Sequence, residues 1–248
     1  MTLLTICQNI ATEAGYPAPT TIIGNTSIIA KRLLIAANKA GKTVAKGLVP
    51  GGLGQHDWQA LRKEQTFDTI EDQQGYVLKG AGSIVDDADF VKFIDDTLWD
   101  RTNNNPVNIY NPQEWQLAKS GLVDPISPYY NAIKRGDSLL LDPTPSAEDT
   151  LAFEYLSNKW CESSGGTAKV AFTVDTDVGI LDEDLIEYDA LWRFLKAMGK
   201  AYAEEKVDAE TSIKTAISND EPRSIIRAAF PADVYPIVNV PQTIPIPS

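Results

Sequence analysis

The side chains able to do chemistry in this chain are few and scattered. His56 is the single histidine; it follows a glycine-rich run and precedes Asp57-Trp58. A Ser–His–Asp relay would have to pass through it, because activating a hydroxyl needs an imidazole that titrates near neutral pH. No nucleophile-elbow sequence accompanies it, so a packed or solvent-facing histidine at the start of a domain is the expectation. One histidine with two distant cysteines, Cys7 and Cys161, supplies too few ligands for a zinc site. Asp86-Asp87-Ala88-Asp89, Asp95-Asp96 and Asp175-Thr176-Asp177 offer oxygen ligands of the kind Ca²⁺ or Mg²⁺ takes. The run DTDVGILDEDLI from Asp175 opens like an EF-hand loop, yet Ile180 stands where that loop has Gly and Ile186 where it has Glu. Loop and cap carboxylates are the expectation. A glycosidase needs two carboxylates facing across a cleft, and nothing here selects such a pair. Gly51-Gly52-Leu53-Gly54 lacks the Lys-Ser/Thr of a phosphate-binding loop. Arg135-Gly136-Asp137 matches an integrin-recognition tripeptide but falls on a hairpin turn. Trp58, Trp99, Trp115, Trp160 and Trp192 are spread across every region, which suits core anchors or interface residues better than a sugar- or base-stacking platform. The expectation is no catalytic constellation, no metal and no cofactor.

The elements that must carry these residues are set by apolar periodicity. Asp182 to Glu205 has Leu185, Tyr188, Trp192, Leu195, Met198 and Tyr202 at spacings of three and four, which predicts a helix. Asp182 is placed to cap it, with Glu183 and Asp184 where the helix dipole favours negative charge. Leu181 and Ile186 form a hydrophobic staple across that cap. Ala190, Leu191, Phe194, Ala197 and Ala201 widen the apolar surface, so this helix is expected at the centre of a bundle. Gly199 predicts a kink or a close helix crossing.

A first helix is expected from Leu3 to Ala14, capped by Thr2 and stopped by Gly15. A second runs from about Asn25 or Thr26 to Ala45, with Ile29, Leu33, Ala36, Ala40 and Val44 on one face. Its other face carries Lys31, Arg32, Lys39, Lys42 and Lys46, and no acid lies between Asn25 and Lys46. Asp182 to Asp189 is the reverse, with five acids and no base, among them Asp184 and Glu187. The two faces could meet within one subunit or across a subunit boundary, although solvated faces are the commoner outcome, since exposed pairs contribute little.

Gly47 to Gln55 reads as a flexible connector. Beyond it EQTFDTI, GYVL, FVKFI, AIKRGDSLLL, TLAFEYL and AKVAFTV are short strand-like runs, with a hairpin turn at Gly136-Asp137. One short helix is expected within them, capped by Asn111, with Pro112 first and Gly121 as its stop. A weaker helix from Ala201 to Ser218 carries Val207, Ile213 and Ile217. The order helices, strands, helices predicts an α+β fold. Residues 1–47 and 181–220 would form one helical bundle, with a small antiparallel β domain at 55–179 inserted between them.

Residues 221–248 break the helix with six prolines yet hold Phe230, Tyr235, Ile237, Val240, Ile244 and Ile246. Such apolar content is expensive to leave in water, so an extended arm docked on another protein, or folded over its own subunit, is expected. The chain has no apolar run of about 18 residues, and its N-terminus lacks the basic flank of a signal peptide. A net charge of −12 opposes gripping DNA by counterion release; it suits a surface DNA slides past, while composition alone favours an acidity that simply keeps the protein soluble.

Several blocks resemble the head-to-tail adaptor (head-completion) proteins of tailed, particularly short-tailed, bacteriophages. They are HDWQALRKEQTF at His56, FIDDTLWDRTNNN at Phe93, NPQEWQLAKSG at Asn111, LLLDPTPSAEDTLAFEYLSNKW at Leu139 and LDEDLIEYDALWRFLKAMGKAYAEE at Leu181. With RLLIAANKAGKTVA the likeness covers most of residues 1–220. It implies a dodecameric ring of identical subunits beneath the portal, in the virion neck, assembled in the host cytoplasm. Such a ring continues the DNA channel into the tail, meets portal and tail or nozzle proteins, and touches no membrane. On that basis Lys31, Arg32, Lys39, Lys42, Asp182, Asp184 and Glu187, with the six apolar arm residues, are the expected interface. A carbohydrate-binding tail or adhesin module is the alternative, and an acid-pair or His56 hydrolase ranks third.

Overall fold

Short polar side chains start four of the helices by accepting from backbone N–H groups that have no partner further back in the chain. Thr2 accepts from Thr5 N ahead of α1 (Leu3–Glu13), and Ser27 from Ala30 N ahead of α2 (Ile28–Ala45). Asn111 accepts from Gln113 N and Glu114 N, while Glu114 accepts from Asn111 N, closing a capping box on α3 (Pro112–Lys119). Asp182 accepts from Asp184 N at the start of α4 (Glu183–Met198). α5 (Ala203–Asp220) comes last. The computed structural model describes residues 1–48, 54–86, 89–120 and 129–220. The arm with Phe230, Tyr235, Ile237, Val240, Ile244 and Ile246, most of the 47–55 connector, and Gly121 lie outside the described residues.

The strands are β1 (Arg62–Asp68), β2 (Gly75–Val77), β3 (Phe90–Phe93), β4 (Trp99–Asp100), β5 (Asn105–Pro106) and β6 (Asn108–Ile109). Next come β7 (Asn131–Arg135), β8 (Ser138–Asp142), β9 (Thr150–Ser157), β10 (Cys161–Glu162), β11 (Ala168–Lys169) and β12 (Val178–Gly179). The fold is mixed α+β, with mostly antiparallel sheets. One sheet is ordered β1-β9-β4-β5, with β3 also on β9; another is β2-β8-β7-β6; a third, small one is β11-β10-β12. The hairpin β7–β8 turns at Gly136, whose φ of 58° suits glycine.

Three expectations are revised. Gly199 does not kink a long helix: it ends α4 in the left-handed conformation (φ 72°), where no Cβ penalty arises. β6 and β7 pair in parallel, which the intervening α3 allows by supplying the crossover. Of AKVAFTV only Ala168–Lys169 is strand; the rest forms turns in which Phe172 is buried against Trp160.

Two apolar clusters organise the packing. The first joins α1, α2, α4 and α5 through Ile6, Leu33, Ala37, Ile186, Phe194 and Ile213. It also takes Trp58, Leu61, Leu156, Trp160, Cys161 and Phe172. Thr2 bridges Val178, and Leu3 N and Leu4 N donate to Asp177 O and Asp175 O, fastening the 175–179 segment to α1. The second cluster lies within the strands, with Phe67, Leu78, Phe93, Leu139, Leu151 and Phe153. α5 is the weaker helix expected, with Ile213 and Ile217 buried but Val207 60% exposed.

Trp160 is wholly buried with its indole ring lying directly on Gly41 of α2. A methyl group at Gly41 would overlap that ring. Helix propensity favours Ala over Gly by about 1 kcal/mol, but overpacking a core costs roughly 1–3 kcal/mol. Gly41→Ala is therefore expected to lower stability, read as a lower midpoint in urea unfolding.

Candidate functional site

α2 and α4 cross so that the basic side of α2 borders the C-terminal half of α4, leaving a groove of about 500 Å³. Its floor is Ile35, Ala36, Trp192 and Ala197. Its rim is cationic: Arg32 and Lys39 from α2, Arg193 and Lys196 from α4. Three of the four rim charges are held, each differently. Arg32 Nη1 donates to Ala197 O at 2.9 Å, where the end of α4 is partly negative, and lies 3.0 Å from Met198 Sδ. Arg193 donates through Nε to Asp189 at 2.7 Å, reaches Thr43, and stacks on Trp192 at 4.5 Å. Lys196 lies 6.0 Å over Trp192 and 5.7 Å over Tyr202. Ile35, which lines the same groove as Trp192, is 53% exposed. An apolar floor with a cationic rim suits a partner surface that is apolar and acidic.

Lys31, Arg32, Lys39 and Lys42 are all exposed on α2. The acidic face is at the other end of α4. Asp182 and Asp184 are exposed there, and Glu187 accepts from Asn9 at 3.0 Å. Among the described residues these two sets form no ion pair with each other within one copy. Spacing puts Trp192 on the apolar stripe of α4 and does not reveal the groove; the available signal is Trp192-Arg193 with Lys196 one turn on.

The residues with possible catalytic chemistry are engaged structurally. His56 Nε2 meets Asp220 Oδ2 at 2.7 Å, its ring sits edge-on to Trp58 at 5.0 Å, and the side chain is buried. Asp220 also accepts from Gln59 N, so the pair ties the end of α5 to the start of the strand region. Asp175 accepts from Ile22 N and Ile23 N. Asp177 accepts from Lys169 Nζ at 2.7 Å, Thr173 N at 2.7 Å and Val174 N at 2.9 Å. Asp89 accepts from Ser157 Oγ, from Tyr155 OH at 3.0 Å and from Lys63 Nζ at 3.0 Å. Among the described residues no group of acids, His and Cys is arranged to hold a metal. Cys7 and Cys161 are separate buried thiols, each pushed up to about 12, by burial first and then by nearby carboxylates. Trp58, Trp115 and Trp160 are buried, so none is an exposed stacking platform. No helix among the described residues is long and apolar enough to cross a membrane.

Compared with known proteins, the chain matches no family model and no curated relative.

Burial on its own would push the Asp89 and Asp177 carboxyls up, but their donors outweigh it and hold both below the ordinary 3.8. A depressed carboxyl adds stability that is present above its unfolded value and lost as pH falls through the folded one. Asp177→Asn is expected to cost about 3 kcal/mol at neutral pH. It should also flatten the loss of stability on acidification below pH about 4, read from urea midpoints across pH.

Proposed function

We propose that this chain is a structural virion protein, a head-to-tail adaptor whose copies form a ring under the portal. The ring extends the DNA channel and joins capsid to tail without turnover. In this reading α1, α2, α4 and α5 act as one helical bundle that meets neighbours and portal, while the strand region faces tail or nozzle proteins. The proline-rich arm, with Phe230, Tyr235, Ile237, Val240, Ile244 and Ile246, docks along the portal or an adjacent copy.

One observation carries the reading beyond the sequence resemblance. The groove on α2 and α4 keeps an apolar floor and a cationic rim at the surface, while an acidic edge lies at the far end of α4. A surface with these unmatched halves suits a subunit that meets other proteins on more than one side. The net charge of −12 fits a lumen that lets DNA pass without gripping it.

Mixing the purified chain with its portal protein and recording electron-microscopy class averages tests the proposal directly. A ring stacked coaxially on the portal is the expected result, and two particles that stay apart at all concentrations would refute it. A chain ending at Glu221 is expected to bind portal at least about tenfold more weakly, given the apolar area removed.

A further inference from the structure

We infer that the groove between α2 and α4 receives the acidic N-terminal edge of α4 from a second copy of this chain, repeating one contact head to tail. This rests on the ring reading above and adds which two surfaces close the ring.

Charge complementarity selects the occupant. The groove presents Arg32, Lys39 and Lys196 around Trp192, and Lys39 makes no ion pair among the described residues. The edge presents Asp182, Asp184 and Glu187 beside Tyr188, a large apolar ring 45% exposed. Asp182 and Asp184 likewise make no ion pair among the described residues. An aromatic ring flanked by acids is the counterpart of an apolar floor flanked by lysines. Glu187 is unsettled in the isolated copy: burial, with Asp184 and Glu13 nearby, raises its carboxyl despite the hydrogen bond from Asn9. A lysine arriving from outside would relieve that repulsion.

The placement of the two patches suits a repeating contact. At about 100° per residue, Trp192 and Lys196 lie roughly 80–180° around α4 from Asp184 and Glu187, while Tyr188 sits one turn before Trp192 on the same side. Asp184 and Lys196 stand near opposite ends of α4, roughly 18 Å apart along its axis. The acids Asp184 and Glu187 and the lysine at Lys196 can therefore be engaged by different neighbours at the same time, with Tyr188 and Trp192 on adjoining turns between them. Such a contact is heterologous, and it closes into a ring when the rotation between copies allows.

The test is a charge exchange on the full-length chain, followed by sedimentation velocity at low and high salt. One variant carries Lys39→Glu with Lys196→Glu, and the other carries Asp184→Lys with Glu187→Lys. All four positions lie on the surface or its edge, and unchanged circular dichroism identifies folded samples. Each variant alone is expected to self-associate at least about tenfold more weakly than wild type, because like charges then face each other. An equimolar mixture of the two should recover association, since the groove of each variant then meets an edge of opposite sign on the other. If wild type and both variants associate equally, the inference falls while the ring reading stands. If the wild type stays single in isolation, the same samples are scored by ring closure on the portal. There, equal closure by both variants refutes the inference, and no ring even for wild type refutes the reading itself.

Discussion

β9 belongs to both halves of the protein, and most of the architecture depends on that. Leu151, Phe153 and Tyr155 point into the strand cluster, while Leu156 is already in the helical one. Along its length β9 pairs with β1, β3 and β4, so it cannot shift without breaking the sheet on either side. A shift by one residue would turn its buried side chains to the opposite face. Just past its end Trp160 enters the helices, donates through Nε1 to Val170 O, and packs edge-on with Phe172 at 4.7 Å. Gly41 on α2 leaves room for that ring. The helices and the sheet are thus joined by a continuous strand and an indole ring, rather than by a flexible hinge at that point.

The acidic composition has a structural use apart from any partner. Asp175, Asp89 and Asp220 each sit where two distant parts of the chain meet, Asp177 closes the local 169–177 turn, and each accepts from backbone N–H groups or a cation. Buried carboxylates are tolerable only with donors arranged around them, and these have them. The charge left at the surface is uneven: cations along α2 and acids at the start of α4. That separation is why the chain carries a groove of one sign despite a net charge of the other.

Local signals were legible in the sequence wherever a single side chain decides the matter. Thr2, Asn111 and Asp182 cap helices as their types predict, and Gly136 turns the hairpin. Spacing was less informative where tertiary packing chooses the face. Tyr188 and Trp192 lie on the expected stripe of α4, yet the buried side centres on Ile186, Ala190 and Phe194, because α1, α2 and α5 approach from there. Gly199 illustrates the same limit. Its type says that the backbone can do something unusual, but a kink requires Lys200 and Ala201 to continue the helix, and they do not. The groove was legible least of all, since it is made by side chains from two helices far apart in sequence, and no local pattern records their meeting. The segment after Trp160 reads as strand by its local pattern, whereas its packing against α1 and α2 is a long-range fact.

The pairing of Arg62 with Leu156 in β1 and β9, and of Thr2 with Val178, has a consequence for how the chain comes off the ribosome. Neither apolar cluster can close until the segment around 150–181 has been synthesised, although α1, α2 and β1 emerge long before it. The early helices must wait with their apolar faces uncovered, and contacts of such long sequence separation form slowly. Newly made copies are therefore exposed to one another and to chaperones at the stage when their α1 and α2 faces are bare.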